Sequence, residues 1–472
     1  MKLLMRNLKI VLVLFILISA SLLIGLSFQQ NRSKTELYVA AGENKQSLKS
    51  RYAQAGSIFD INGLILAQST DGQRRYSEDS VIAKSVLHIV GDYTHNIANT
   101  IESTYQGVLL GNDRNLLRQF YLDVLGKGLS GDDITLTVDG EISKKAYELL
   151  DGRKGSIVVL NYKTGAVLAA VSSPSTTPES VIEWSEMPET ALFNRALQGQ
   201  YAPGSTFKII TTAAYLTSPQ YDPTISVICE AKSTVDPYGA SETSDGHGEV
   251  DLTSAFSRSC NVFFGQIGVT IGKDALMNTA RTMGYGYSFS LDRLDVLPGK
   301  IEIPDNISTL SWIAIGQPVS DSTLYTTPLQ MAMIVGAIGN GGVMEKAHIV
   351  DHITTPAGDK YGNLKVDPEK VIMNEATAAV IEKLMIGVTE NGTGTAAAIS
   401  DYTVASKTGT VQVEGQDNNA LCVAYIVDDD MPYAVAVIVE EGGAGGTTAA
   451  PLAGKMLRAA VNSKDSQITG TL

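Results

Sequence analysis

Within YAPGSTFKIITTAAYL (residues 201–216), Ser205 and Lys208 stand three residues apart, a spacing that puts two side chains on one face of a helix. Pro203 and Gly204 interrupt the chain just before them and apolar residues follow, so Ser205 is expected at or near the N-terminus of a buried helix. A serine hydroxyl becomes a good nucleophile only when a neighbouring base takes its proton. A buried lysine close to other cationic groups or to a helix N-terminus favours its neutral amine and can be that base. The helix dipole also favours the alkoxide that develops on Ser205. Alone, the pair is better explained by an N-cap serine and a surface lysine.

Two further elements change its meaning. SRSCNVFF (residues 257–264) carries Ser259 and Asn261 at the entrance to an aromatic, apolar helix. At a loop tip both side chains can enter a cleft, Ser259 to relay a proton and Asn261 to orient a substrate amide; in isolation Ser259 also reads as a capping serine. SKTGT (residues 406–410) reads as strand, and its alternation puts Thr408 and Thr410 on one face, where two hydroxyls can grip a carboxylate. Lys407 adds positive charge within reach of Ser259. Gly409 is expected to let a substrate backbone lie against the strand. An earlier Lys163-Thr164-Gly165 lies between two apolar runs and is a hairpin turn without chemistry.

These residues need a scaffold that makes them converge. GSIVVLNYKTGAVLAAVSSP (155–174) reads as two strands, and YTVASKTGTVQV (402–413), ALCVAYIV (420–427) and YAVAVIVEE (433–441) as three more, followed by a helix at APLAGKMLRAAV (450–461). Strands at both ends with helices between predict an α+β domain, an antiparallel sheet covered by helices whose termini share one sheet. Residues 29–150 read as a smaller pedestal. It begins with a hairpin turned at Asn62-Gly63, continues through a helix near 115–126, and ends in a strand that leads into a helix over 131–150. Ile10 to Phe28 carries no charge and follows Lys2, Arg6 and Lys9. At 1.5 Å per residue it spans roughly 29 Å, about the thickness of a bilayer's hydrocarbon. The expected order is a cytoplasmic tail (1–9), a transmembrane anchor (10–28), the pedestal (29–150) and the catalytic domain (151–465), with everything after the anchor outside the cell.

Other classes are excluded. A net charge of −14 argues against nucleic acid. Cys229, Cys260 and Cys422 form no C-x-x-C pair, so neither a disulfide scaffold nor a structural zinc site is expected. The histidines show no ligand spacing, and His247 reads as a structural or loop residue. NGTGTAA (391–397) imitates a dinucleotide fingerprint but follows a helical stretch, and GGAGG (442–446) leads to no G-K-S/T. No cofactor is expected.

The three elements in this order resemble those of the penicillin-binding protein family, specifically its membrane-anchored, monofunctional class B. SSPSTTP (172–178), DGHGEVDLTSAFSRSCN (245–261), IGQ (315–317), TTPLQMA (326–332) and VEEGGAGGTTAAP (439–451) are similar to family segments too. The resemblance implies a D,D-transpeptidase that cross-links peptidoglycan stem peptides, is a target of β-lactams, and works beside a membrane glycosyltransferase. It implies that Ser205 is acylated with Lys208 as base. Ser259, Asn261 and Lys407 complete the network, and Thr408 and Thr410 bind the terminal carboxylate of D-Ala-D-Ala. The N–H groups of Ser205 and Thr410 form the oxyanion hole. Two departures stand out. Ala55 and Ile61 occupy places where the family's pedestal has arginines, and Leu421-Cys422 replaces an aromatic pair beside the acceptor side of the cleft. The competing readings are a D,D-carboxypeptidase or anchored β-lactamase, in which water replaces the amine, and a non-enzymatic β-lactam sensor or assembly scaffold.

Overall fold

The computed structural model of the chain describes residues 6–7, 9–21, 49–230, 246–319, 321–361 and 370–469. Its central sheet has five strands, β1 (Gly155–Asn161), β2 (Val167–Ser173), β3 (Val404–Val411), β4 (Asn419–Ile426) and β5 (Tyr433–Val439), in the order β3-β4-β5-β1-β2. Every neighbouring pair is antiparallel. The two ends of the domain meet where β5 pairs with β1, Val435 opposite Val159, as the sequence pattern predicts. Alternation sorts the side chains into two cores: Val158, Leu160, Leu421 and Val423 face one, and Ile157, Val159, Cys422 and Val437 the other. Burial on both faces explains why these strands are nearly continuous runs of Val, Ile and Ala.

Seven helices matter for the site: α1 (Gly140–Leu150), α2 (Lys208–Leu216), α3 (Leu252–Arg258), α4 (Asn261–Ile271), α5 (Pro328–Gly339), α6 (Glu375–Asn391) and α7 (Ala449–Thr469). Side-chain caps set several of their starts: Asp139, Asp251, Thr327 and Asn374 each accept a first-turn N–H. Helices α1 and α7 cover one face of the sheet, α5 packs on the other, and α6 lies along β3.

The pedestal holds a six-stranded sheet in which residues 350–354 and 360–361 join strands from residues 58–136, so it draws chain from both sides of residue 150. Its bracing comes from arginines other than the two the family resemblance supplies. Arg74 Nε meets Glu102 Oε1 at 2.8 Å, and Arg74 Nη1 donates to Gly56 O at 2.7 Å. Arg114 Nε donates to Asp132 Oδ1 at 2.9 Å, and Tyr361 also donates to Asp132.

Residues 10–21 of the expected anchor are helical, and the apolar side chains from Ile10 to Ile18 are exposed. Residues 22–28 of that segment lie outside the described residues. Among the described residues no helix is long and apolar enough to cross a membrane.

Candidate active site

Ser205 lies in a single 3-10 turn, Gly204–Phe207, and the α-helix proper begins at Lys208. The sequence places Ser205 at an α-helix start; the tighter turn arises because Gly204 takes a φ of +53°, which regular α-helix excludes. A methyl group at Gly204 would stand 2.7 Å from Val411 Cγ2 and 3.2 Å from Thr410 O, so only glycine lets this turn sit against the edge strand β3. The contact is reciprocal. A Cβ at Gly409 would meet Pro203 O at 3.1 Å and Thr206 Cγ2 at 3.3 Å, so what this glycine clears is the approach of the Ser205 turn.

Behind Ser205 two lysines converge on one hydroxyl. Lys208 Nζ donates to Ser259 O at 2.6 Å, to Asn261 Oδ1 at 2.7 Å and to Ser259 Oγ at 3.2 Å. Lys407 Nζ approaches the same Ser259 Oγ from β3 at 2.9 Å and also donates to Thr408 O at 3.2 Å. Both lysines are fully buried. Lys208 Nζ stands 5.4 Å from the Phe264 ring centroid and Lys407 Nζ 5.7 Å from that of Phe256. Burial, and then the charge of Lys208, push the Lys407 ammonium well below the usual lysine range. The loop between α3 and α4 makes the convergence possible: Ser259 ends α3 in the left-handed region (φ 60°, ψ 39°), Cys260 caps α4 through its Sγ, and Asn261 opens α4.

Ser205, Ser259, Asn261, Thr408 and Thr410 line one cavity of about 660 Å³. A larger cavity of 1110 Å³ lies beside α1 and α7, and none of the motif residues lines it. Thr408 Oγ1 shares a hydrogen bond of 2.6 Å with Thr393 Oγ1, and Thr410 Oγ1 accepts from Gly445 N at 3.1 Å. The segments around Thr393 and Gly445 carry the two motifs rejected as nucleotide sites; their real placement is beside β3. The amide of Gln317 pairs with the backbone of Gln412, donating to its O at 3.1 Å and accepting from its N at 3.4 Å. Leu421 and Cys422, expected to alter the acceptor side of the cleft, are instead fully buried in the two cores.

Upstream, Tyr201 donates to Glu440 Oε1 at 2.7 Å, and the buried Arg195 meets the same oxygen through Nε at 2.8 Å. This ties the segment before Ser205 to the end of β5. Pairing of residues 227–230 with 246–250 sets Cys229 beside His247, and Cys260, the N-cap of α4, joins them, their Sγ and ring-nitrogen atoms all within 4.8 Å. Two thiols and an imidazole are donors of the type that ligates soft divalent metals. The sequence offered no ligand spacing for them, because the strand pairing creates it.

A serine turn held against an edge strand, with two buried lysines sharing a second serine's hydroxyl, is an arrangement able to activate a serine for acyl transfer. Residues 155–458 match the family model described as the penicillin binding protein transpeptidase domain, and the chain belongs to that family. It is 29% identical over 477 residues to peptidoglycan D,D-transpeptidase PbpA of Mycolicibacterium smegmatis, covering 91% of this chain and 95% of the relative. It is 26% identical to peptidoglycan D,D-transpeptidase MrdA of Escherichia coli, covering 91% of this chain and 73% of the relative. Among solved structures, the ceftriaxone acyl-enzyme complex of penicillin-binding protein A from M. tuberculosis superimposes with a TM-score of 0.78 at 27% identity, covering 88% of this chain and 99% of that one.

Proposed function

We propose that this protein is a peptidoglycan D,D-transpeptidase working through an acyl-enzyme on Ser205. The observation that carries the proposal is the Ser259 hydroxyl, set between Lys208 Nζ at 3.2 Å and Lys407 Nζ at 2.9 Å beside the cavity that Ser205 lines. The relatives' names and the acyl-enzyme complex of a similar structure support it.

Ser205 Oγ attacks the carbonyl carbon of the D-Ala-D-Ala amide while Lys208 takes its proton. The carbonyl oxygen becomes an oxyanion, held by the N–H groups of Ser205 and Thr410; preorganised donors of this kind contribute about 3–4 kcal/mol each. Two cationic nitrogens on one hydroxyl repel, so the network is disposed to give up a proton. Ser259 gives that proton a path to the leaving amine as the C–N bond breaks and D-Ala departs. An acceptor amine then attacks the ester, loses its proton to the same network, and Ser205 Oγ is reprotonated. Thr408 and Thr410, with Thr393 and Gly445 beside them, hold the terminal carboxylate of the donor, and Asn261 orients its amide.

The uncharged run from Ile10 to Phe28 supports a single anchor with its N-terminus in the cytoplasm. Everything after the anchor then lies outside, the pedestal sheet with its strands at 350–354 and 360–361 included, where a membrane glycosyltransferase is the expected partner. A fluorescent penicillin should label the ectodomain covalently, and Ser205→Ala should abolish the label; labelling of that variant removes Ser205 from this role. Product analysis with a donor peptide and a competing amine separates transfer from hydrolysis, and hydrolysis alone would favour the carboxypeptidase reading.

A further inference from the structure

The pedestal turns one apolar helix face outward. The helix Leu116–Val124 is capped by Asn115, whose side chain accepts from Arg118 N at 2.8 Å, and Leu125 follows it directly. Leu117, Phe120, Tyr121 and Val124 recur at the three- and four-residue spacing that shares one helix face. An amphipathic helix on a globular protein turns such a face towards the core. Here the order is inverted. Leu117 is 83% exposed, Phe120 68% and Val124 69%, Tyr121 and Leu125 are exposed beside them, and Leu129 beyond the helix reaches 83%. Within the helix only Leu122 is buried, and the polar pair Gln119 and Asp123, joined at 2.9 Å, occupies the other side. Apolar residues scattered singly over a surface are ordinary, whereas a contiguous patch of this kind marks an interaction site.

Its place in the fold points to what covers it. Residues 110–130 form an excursion whose two ends meet the chain arriving from the expected anchor: Gly131 N donates to Gln54 O at 2.9 Å, and Gly56 N to Leu109 O at 2.8 Å. From there the parallel strands at 58–59 and 133–136 run side by side towards Asn62 and Asp139, where Ser463 of α7 meets Asp139 Oδ2 at 2.6 Å. The apolar helix thus belongs to the end of these strands away from that junction with the catalytic domain. Residues 29–48 are all that separate this end from the anchor and Lys49. We infer that the face rests in the outer surface of the lipid bilayer, a second foothold for the protein beside its anchor. The inference rests on the anchored reading and not on the chemistry at Ser205. A lipid surface suits the face because it is broad and its side chains hold no hydrogen-bonding group besides the Tyr121 hydroxyl. Phe120 and Tyr121 bring aromatic rings, and amphipathic tyrosine is a residue that gathers at membrane interfaces. Cations stand at its edge, where long side chains keep their charge among headgroups while their stems lie on apolar surface. Arg118 stacks 4.1 Å over the Tyr361 ring, and Lys127 Nζ donates to Pro356 O at 2.9 Å. Two points of attachment, unlike one, fix the attitude of the pedestal to the membrane.

The test uses the full-length protein reconstituted at low density into vesicles of phosphatidylglycerol and phosphatidylcholine that carry nitroxides at a shallow or a deep acyl position. Phe120→Trp places an indole on the face, and the wild type, with Trp184 and Trp312, supplies the background. The added emission should be quenched, and more by the shallow nitroxide than by the deep one, as for a helix lying about 5–10 Å into the boundary of headgroups and acyl chains. Adding Leu117→Glu and Val124→Glu should abolish this quenching while the thermal midpoint stays that of Phe120→Trp alone. An added emission indifferent to both nitroxides overturns the inference, whether the face is bare or covered by another part of the chain. So does quenching that survives the two glutamates. An indole open to aqueous iodide at low density, and shielded only when the density is raised or a membrane glycosyltransferase is added, names a protein as the occupant and overturns it as well. Wild-type protein that alkaline carbonate strips from the vesicles overturns the anchored reading, and this inference with it.

Discussion

Arg74 and Glu102 in the pedestal are as fully withdrawn from solvent as Lys208 and Lys407 in the active site. In the pedestal the cation faces a carboxylate at 2.8 Å, and Tyr76 donates to the same Glu102 Oε1 at 3.4 Å. In the active site the two ammonium groups donate to neutral oxygens: the Ser259 hydroxyl and carbonyl, the Asn261 amide and the Thr408 carbonyl. A guanidinium never deprotonates in a protein, so Arg74 with its carboxylate is a permanent brace. A buried amine without such stabilisation holds its proton less tightly, as Lys407 does through burial and the charge of Lys208, and an amine of that kind is what base catalysis uses. The same burial thus gives rigidity where charges are matched and chemistry where they are not.

Removing the Lys208 amine should have the largest effect. Lys208→Met should slow acylation by fluorescent penicillin about 10²- to 10⁴-fold, the range of general-base catalysis, with the thermal midpoint little changed. Near wild-type labelling would show that the unmatched lysine is not the base. Glu102→Gln tests the other side of the contrast. It leaves Arg74 buried beside a neutral amide and should cost about 3–5 kcal/mol in urea unfolding. Molecules that remain folded should label at the normal rate, and a loss below about 1 kcal/mol would mean that this pair is no brace.

The smallest effect is in pH dependence. Burial lowers the Lys407 ammonium in the folded protein, whereas the unfolded chain titrates near about 10.4. Between those two values the unfolded state binds more protons, so the contribution of Lys407 to stability rises with pH. It is complete above about 10.4 and is lost as pH falls through the folded value. Relative to Lys407→Met, the wild type should therefore gain stability as pH rises from the folded value towards about 10.4, by at most about 1.4 kcal/mol per pH unit. Parallel curves for the two proteins would break the contrast drawn here.

Much of this was legible in the chain itself. Ser205 with Lys208, Ser259 with Asn261, and Lys407 with Thr408 and Thr410 are each neighbours in sequence, so their pairing survives in one dimension. The sheet was legible because strands buried on both faces must be apolar throughout, and the Asn62-Gly63 turn because Gly63 takes a φ of +82°. The start of α2 at Lys208 was not, since Gly204 adopts its positive φ only to let the turn lie against Thr410 and Val411. Thr393, Gly445 and the Cys229–His247–Cys260 cluster were not either, for their partners lie far along the chain or arise from strand pairing.

What the sequence determined by itself is the chemistry on offer: which groups are candidates for nucleophile, base and hydroxyl grip, and which segments are apolar enough to form the sheet behind them. Tertiary structure alone decided which charges are matched. Arg74 finds Glu102 across 28 residues, while Lys407 reaches Ser259 across 148 and meets only a hydroxyl there. A lysine's own sequence neighbours say nothing of this, because the energy of a buried charge depends on the groups that folding brings within a few ångströms of it.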